Sequence, residues 1–131
     1  MKHYLKTYPV TLFCIALIWY LCLFTPPKTR LSEVPFFDKW VHISMYLGTC
    51  SVLWCEYLRS RRQTSTWRLL TGTIVLPVLM SGCIELVQAY CTTTRSGDWL
   101  DFAANSLGVL LAALLGKTIY PNLLRKTGLL K

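Results

Sequence analysis

The chain has 131 residues, 53% of them hydrophobic, with a mean hydropathy of +0.42 and a formal net charge of +8. That composition is too apolar for a soluble domain, which must cover its core with polar surface, and the length leaves room for one membrane domain, residues 1–131, and no other. The positive charge fits anionic membrane lipid better than nucleic acid, because no groove-sized basic surface remains.

Four nearly uncharged stretches, about residues 8–25, 38–56, 69–91 and 98–116, predict four transmembrane helices and an all-α bundle. Each approaches the roughly 17 to 25 residues that span a bilayer, the second only by taking in Asp38, Lys39 and Glu56. The first is longer than a signal-peptide core and runs into Thr25-Pro26-Pro27 rather than a small-x-small cleavage site, so it is expected to stay as an anchor. The loop after it holds Pro26, Pro27 and Pro35 and should lie across the surface, with Phe36 and Phe37 at the interface.

The second connection is short and basic. Pro77 should kink the third span, and Trp67 and Trp99 read as interfacial belt residues. In the fourth span Ala104, Gly108, Ala112 and Gly116 recur every four residues, a stripe suited to close helix packing that also leaves room for oligomerisation. The six cysteines lie mostly inside spans at irregular spacing, as apolar packing residues rather than a disulfide framework.

Ten of the 14 Lys and Arg residues fall in the N-terminus (Lys2, Lys6), the second loop (Arg59, Arg61, Arg62, Arg68) and the C-terminal tail (Lys117, Arg125, Lys126, Lys131). The positive-inside rule then puts both termini in the cytoplasm and the first and third loops outside.

With that topology three polar clusters share the outer end: Asp38-Lys39-x-x-His42, Glu85-x-x-Gln88, and Arg95-x-x-Asp98-x-x-Asp101-x-x-x-Asn105. Asp38, His42 and Tyr46 share one helix face, as do Glu85 with Gln88, and Asp98 and Asp101 with Asn105. An ionisable side chain in hydrocarbon is costly unless paired or hydrated, which marks these residues as a candidate site. Four carboxylates (Asp38, Glu85, Asp98, Asp101) face two cations (Lys39, Arg95), so a neutral carboxyl, a charged His42 or a bound cation must settle the balance. Glu85, about 9 Å below its helix end from six rises of 1.5 Å, is expected to meet Arg95 and Asp101, with His42 nearby.

Structural roles compete at each position. Asp98 can cap the fourth helix with Asp101 in its first turn, Asp38 can cap the second, and Lys39 can snorkel to head groups. Asn105 and Gln88 can serve as interhelical hydrogen-bond glue, His42 as a packing histidine, and Glu56 with Arg59 as a surface pair. His42 and the acidic residues offer hard N/O ligands, yet no recognised metal-ligand motif is present; neither metal nor cofactor is expected.

The ordered residues Asp38-Lys39-x-x-His42 with Tyr46, Glu85-x-x-Gln88, then Arg95, Asp98, Asp101, Asn105 and Gly108, resemble the signature of the VanZ-like family of small bacterial membrane proteins, over about residues 37–116. The resemblance implies a multi-pass protein of the bacterial inner membrane and cell envelope, in a family linked to resistance to lipoglycopeptides such as teicoplanin; it supplies no reaction. Two readings follow. The outer cluster binds an envelope or lipid-linked ligand or a glycopeptide, with Lys39 and Arg95 holding phosphate or carboxylate. Alternatively it is a membrane-embedded hydrolase or transferase acting on a lipid-linked substrate, for which no nucleophile motif is seen. A third role for the same residues is an electrostatic latch between helices. The spans enclose at most a narrow cleft, not a channel.

Overall fold

The computed structural model describes residues 6–24, 35–60, 65–92 and 97–129, and among these the chain is helical with no strand. The helices are α1 (Pro9–Leu23), α2 (Phe37–Arg59), α3 (Thr66–Cys91), α4 (Trp99–Thr118) and a short α5 (Tyr120–Lys126). Most of the first loop, and Arg95 with the rest of the third, lie outside the described residues.

α3 and α4, with 26 and 20 residues, are long and apolar enough to cross a membrane. α1 is apolar but has only 15 residues. α2 has 23 residues but carries Asp38, Lys39, His42, Glu56 and Arg59.

Side-chain bonds fix the relative directions of the helices. α1 opens with Pro9, whose missing N–H is no loss at a helix start. The next donors, the Val10 and Thr11 amides, both go to the Glu56 carboxylate at 3.1 Å, and Thr11 Oγ1 adds a bond of 2.7 Å. Glu56 is therefore no surface partner for Arg59. It caps α1 from near the far end of α2, because orphan amides beside a positive helix terminus outcompete a flexible, solvated guanidinium. α1 and α2 are thus antiparallel. At the other end of α1, Gln88 Nε2 of α3 donates to the Cys22 carbonyl at 2.7 Å, which sets α1 parallel to α3.

The most extensive packing joins α2 to α4; α4 also packs on α3, and α1 touches both α2 and α3. The stripe Ala104, Gly108, Ala112 and Gly116 is buried in α4 and makes the closest approach. A Cβ at Gly108 would lie 2.6 Å from the Ile43 carbonyl of α2, and one at Gly116 would fall inside the Trp54 indole. The chain's own second helix covers this stripe, so a second copy cannot use it. The apolar core around it is Ile18, Cys22, Tyr46, Cys50, Ile84, Val109 and Ala112. No disulfide links the six cysteines.

Pro77 acts through a widened turn. Thr71–Val75 is π-helical, with the Leu76 amide bonding back to the Thr71 carbonyl. A proline ring crowds the carbonyl four residues earlier, here that of Thr73, and the wider turn relieves the crowding without breaking the helix. Trp67 and Trp99 are exposed, as is Phe36. α5 folds back onto α2 through a 2.6 Å hydrogen bond from the Tyr120 hydroxyl to Ser51 Oγ.

Candidate functional site

At one end of the packed helices the start of α2, the end of α3 and the start of α4 converge. The ammonium of Lys39 donates to Asp98 Oδ2 at 2.6 Å and to Asp101 Oδ1, with Asp38 Oδ2 at 3.8 Å. Lys39 therefore turns inward instead of snorkelling, because two first-turn carboxylates of α4 offer directed charge-assisted bonds that a head group would have to match. Asp98 has two roles. Its Oδ1 accepts from the Leu100 amide at 2.8 Å as the N-cap of α4, while Oδ2 holds Lys39. The Lys39 ammonium, and after it the Leu100 amide, keep this carboxyl, which precedes the apolar helix, below the usual carboxylate range.

Asp38 does not cap α2. That helix starts one residue earlier, after Phe36 with φ of 61°, and no side chain caps it. Asp38 instead projects from the first turn, more than half exposed, with Oδ1 3.8 Å from His42 Nε2.

Below this layer the network runs inward. His42 is buried, with Nδ1 3.0 Å from Asn105 Oδ1. The Asn105 amide nitrogen donates to Ser81 Oγ at 2.8 Å. The Asn105 carbonyl therefore faces the ring, and Nδ1 of His42 carries the proton. That leaves Nε2 facing Asp38 Oδ1 and Asp101 Oδ2, each at 3.8 Å. One turn deeper on α2, the buried Tyr46 hydroxyl has no hydrogen-bond partner among the described residues.

Glu85 and Gln88 occupy the α3 side. Gln88 is spent on the Cys22 carbonyl, the interhelical role open to it from the sequence. Glu85 is 7% exposed; its Oε2 accepts from the Asp98 amide at 3.0 Å, and its Oε1 has no partner among the described residues. Gly97 allows this approach, since a Cβ there would stand 2.5 Å from the Glu85 carbonyl oxygen and 3.0 Å from Ala89 Cβ. The expected meeting of Glu85 with Arg95 falls outside the described residues. Within them the partner of Glu85 is a backbone amide, while Asp101 faces Lys39 and His42.

Of the nine residues singled out from the sequence, Asp38, Lys39, His42, Asp98, Asp101 and Asn105 form one connected group. Glu85 joins it through the Asp98 amide, and Gln88 sits apart. Ser81 was missed; its signal is its position four residues before Glu85, on the same face of α3. The Cys22 carbonyl carries no sequence signal.

Ligand atoms of Asp38, His42 and Asp101 lie within 4.8 Å of one another, a hard N/O set. The Lys39 ammonium already bonds to Asp101 and neighbours Asp38, so this group carries its own cation. Chemically the arrangement offers a fixed ammonium for an anion, acceptor carboxylates for a donor, and an imidazole nitrogen between two carboxylates. Comparison with known protein families, with curated proteins and with solved structures finds no match for this chain.

Proposed function

We propose that this is a VanZ-like, four-span protein of the bacterial cytoplasmic membrane, with both termini inside, whose outward polar end binds an envelope or lipid-linked ligand. A contribution to lipoglycopeptide resistance of the teicoplanin type follows from the resemblance alone. Support for the membrane reading is the run of large apolar side chains left exposed on α1, α3 and α4, among them Phe13, Leu17, Leu79, Leu86, Leu110 and Leu114. It is joined by an uneven distribution of charge along the bundle: Asp38, Glu85, Asp98 and Asp101 with the single described cation Lys39 at one end, and Arg59, Arg68, Lys117, Arg125 and Lys126 with the single described carboxylate Glu56 at the other.

The observation that carries the binding reading is the graded network from exposed Asp38 through Lys39 and Asp101 to buried His42, Asn105 and Ser81. Beside this network the buried Glu85 Oε1 has no partner among the described residues, at a cost of about 1–3 kcal/mol, which helix fastening does not require when an apolar stripe already joins α2 to α4. His42 Nε2 between two carboxylates favours, as the second reading, acid–base chemistry in a membrane-embedded hydrolase or transferase. The test is Asp101→Asn expressed in a teicoplanin-susceptible host. Unchanged abundance with loss of any protection given by the wild-type chain supports a site. Loss of the protein itself supports a latch.

A further inference from the structure

Asp38 and Asp101 each divide their two carboxylate oxygens. Lys39 bonds to Asp101 Oδ1 and approaches Asp38 on Oδ2. The other pair, Asp38 Oδ1 and Asp101 Oδ2, faces His42 Nε2 at 3.8 Å each, too far for a hydrogen bond. Asn105 holds the Nδ1 proton, so Nε2 presents a lone pair. Three acceptors from two helices thus face one another, and no N–H or O–H of the described residues is directed at any of them. His42 is 3% exposed, and a buried acceptor without a donor is costly.

The imidazole is also held as metal-binding histidines are. Such a histidine donates its other ring N–H to a carbonyl or carboxylate, which fixes tautomer and direction. Here Asn105 Oδ1 receives the Nδ1–H at 3.0 Å, and the Asn105 amide is itself anchored on Ser81. Ligand atoms of the three residues lie within 4.8 Å of one another, and with two separations of 3.8 Å they surround a point roughly 2.0–2.5 Å from each, against about 2.0–2.2 Å for Zn²⁺ with N and O donors. That spacing also suits Ca²⁺, but Ca²⁺ takes oxygen donors, whereas imidazole selects the borderline transition ions. Lys28, Arg30 and Arg95 lie outside the described residues, so donor chemistry rather than net charge selects the ion.

We infer that Asp38, His42 and Asp101 form a Zn²⁺ site at the polar end, in which Lys39 orients both carboxylates and Asn105 orients the imidazole. Three protein ligands leave a fourth position for water or for an oxygen of a bound ligand, as in catalytic rather than structural zinc sites. The site deepens the binding reading of the polar end, on which it rests. No contiguous motif announces it, because Asp38 and His42 are one turn apart on α2 while Asp101 comes from α4.

The test uses the full chain without a histidine tag, purified in mild detergent and stripped with chelator. Zn²⁺ would be titrated by calorimetry, with Co²⁺ as a visible reporter and Ca²⁺ as a control. The wild type should take one Zn²⁺ per chain and ignore Ca²⁺. The Co²⁺ spectrum should show N/O ligation without the charge-transfer band of a thiolate, which sets the site apart from the six cysteines. In nitrogen NMR, Zn²⁺ should move the His42 Nε2 signal while Nδ1–H is retained. Asp38→Ala and His42→Ala should each lower Zn²⁺ affinity by at least the roughly 10–100-fold that loss of a supporting partner costs.

Should His42→Ala not fold, Asp38→Ala, a change at a side chain more than half exposed, and the wild-type NMR titration decide. No saturable Zn²⁺ binding, affinity that survives Asp38→Ala, a thiolate band with Co²⁺, or a His42 Nε2 that keeps a proton throughout the titration would overturn the proposal. A chain that binds no Zn²⁺ but loses protection in Asp101→Asn overturns the metal and leaves the binding reading standing. A chain that binds Zn²⁺ as described but gives no protection keeps the metal and counts against the resistance reading.

Discussion

Gly108→Ala tests the link between helix packing and the polar end. The new Cβ would stand 2.6 Å from the Ile43 carbonyl oxygen, 3.0 Å from the Leu47 amide and 3.1 Å from Tyr46 Cβ, so two of the three obstacles are backbone and cannot rotate away. Against a normal C···O contact of about 3.3 Å, α4 must retreat from α2 by about 0.7 Å. Asn105 lies one turn away on the same face, and its 3.0 Å bond to His42 would stretch to about 3.7 Å, beyond hydrogen-bond range. Overpacking costs about 1–3 kcal/mol and the lost bond about 1 kcal/mol, offset by about 1 kcal/mol of helix propensity gained on replacing glycine. The expected net loss is about 1–3 kcal/mol.

Gly48 in α2 is the control, because a Cβ there meets nothing within 4 Å. Gly48→Ala should gain up to about 1 kcal/mol. Both variants would be unfolded by denaturant in micelles and followed by circular dichroism, with His42 nitrogen shifts read by NMR. A Gly108→Ala protein as stable as Gly48→Ala, with His42 unchanged, would refute the reasoning.

Glu56→Ala removes the acceptor of three bonds to the start of α1; it should cost about 1–2 kcal/mol, as loss of an N-cap does, and speed hydrogen exchange at the Val10 and Thr11 amides while the α4 amides stay protected. Asn105→Leu strands the His42 Nδ1–H and takes the donor from Ser81, so a loss of about 2–4 kcal/mol is expected, together with disappearance of the Nδ1–H signal of His42 in nitrogen NMR; retention of that signal would contradict the network. The depressed Asp98 carboxyl contributes stability that is fully present above the unfolded-state value of about 3.9 and is lost as pH falls through its lower folded-state value. Stability measured from pH 5 downward should therefore decline in the wild type, and the decline should be shallower in Lys39→Met. A membrane-impermeant maleimide added to intact cells should label exposed Cys91 at the end of α3 and spare Cys55 near the end of α2; the reverse pattern would invert the proposed orientation.

Hydropathy and spacing alone determined that the chain is helical, roughly where the long helices run, and which polar residues share a face, since these depend only on local composition and the 3.6-residue period. The stripe in α4 was legible for the same reason, as was Asp98 at a helix start. Tertiary structure decided which alternative each residue takes. Lys39 could point to head groups or inward until two carboxylates of α4 were placed beside it. Glu56 looked like a partner for neighbouring Arg59 until the bare amides of α1 arrived from 45 residues away in sequence. Ser81 gained its role only when Asn105 came across from another helix, and the open oxygen of Glu85 is visible only once the Asp98 amide has claimed the other. A helix face can be read from one segment, but a hydrogen bond between segments depends on distances that the packing of Gly108 and Gly116 against α2 sets.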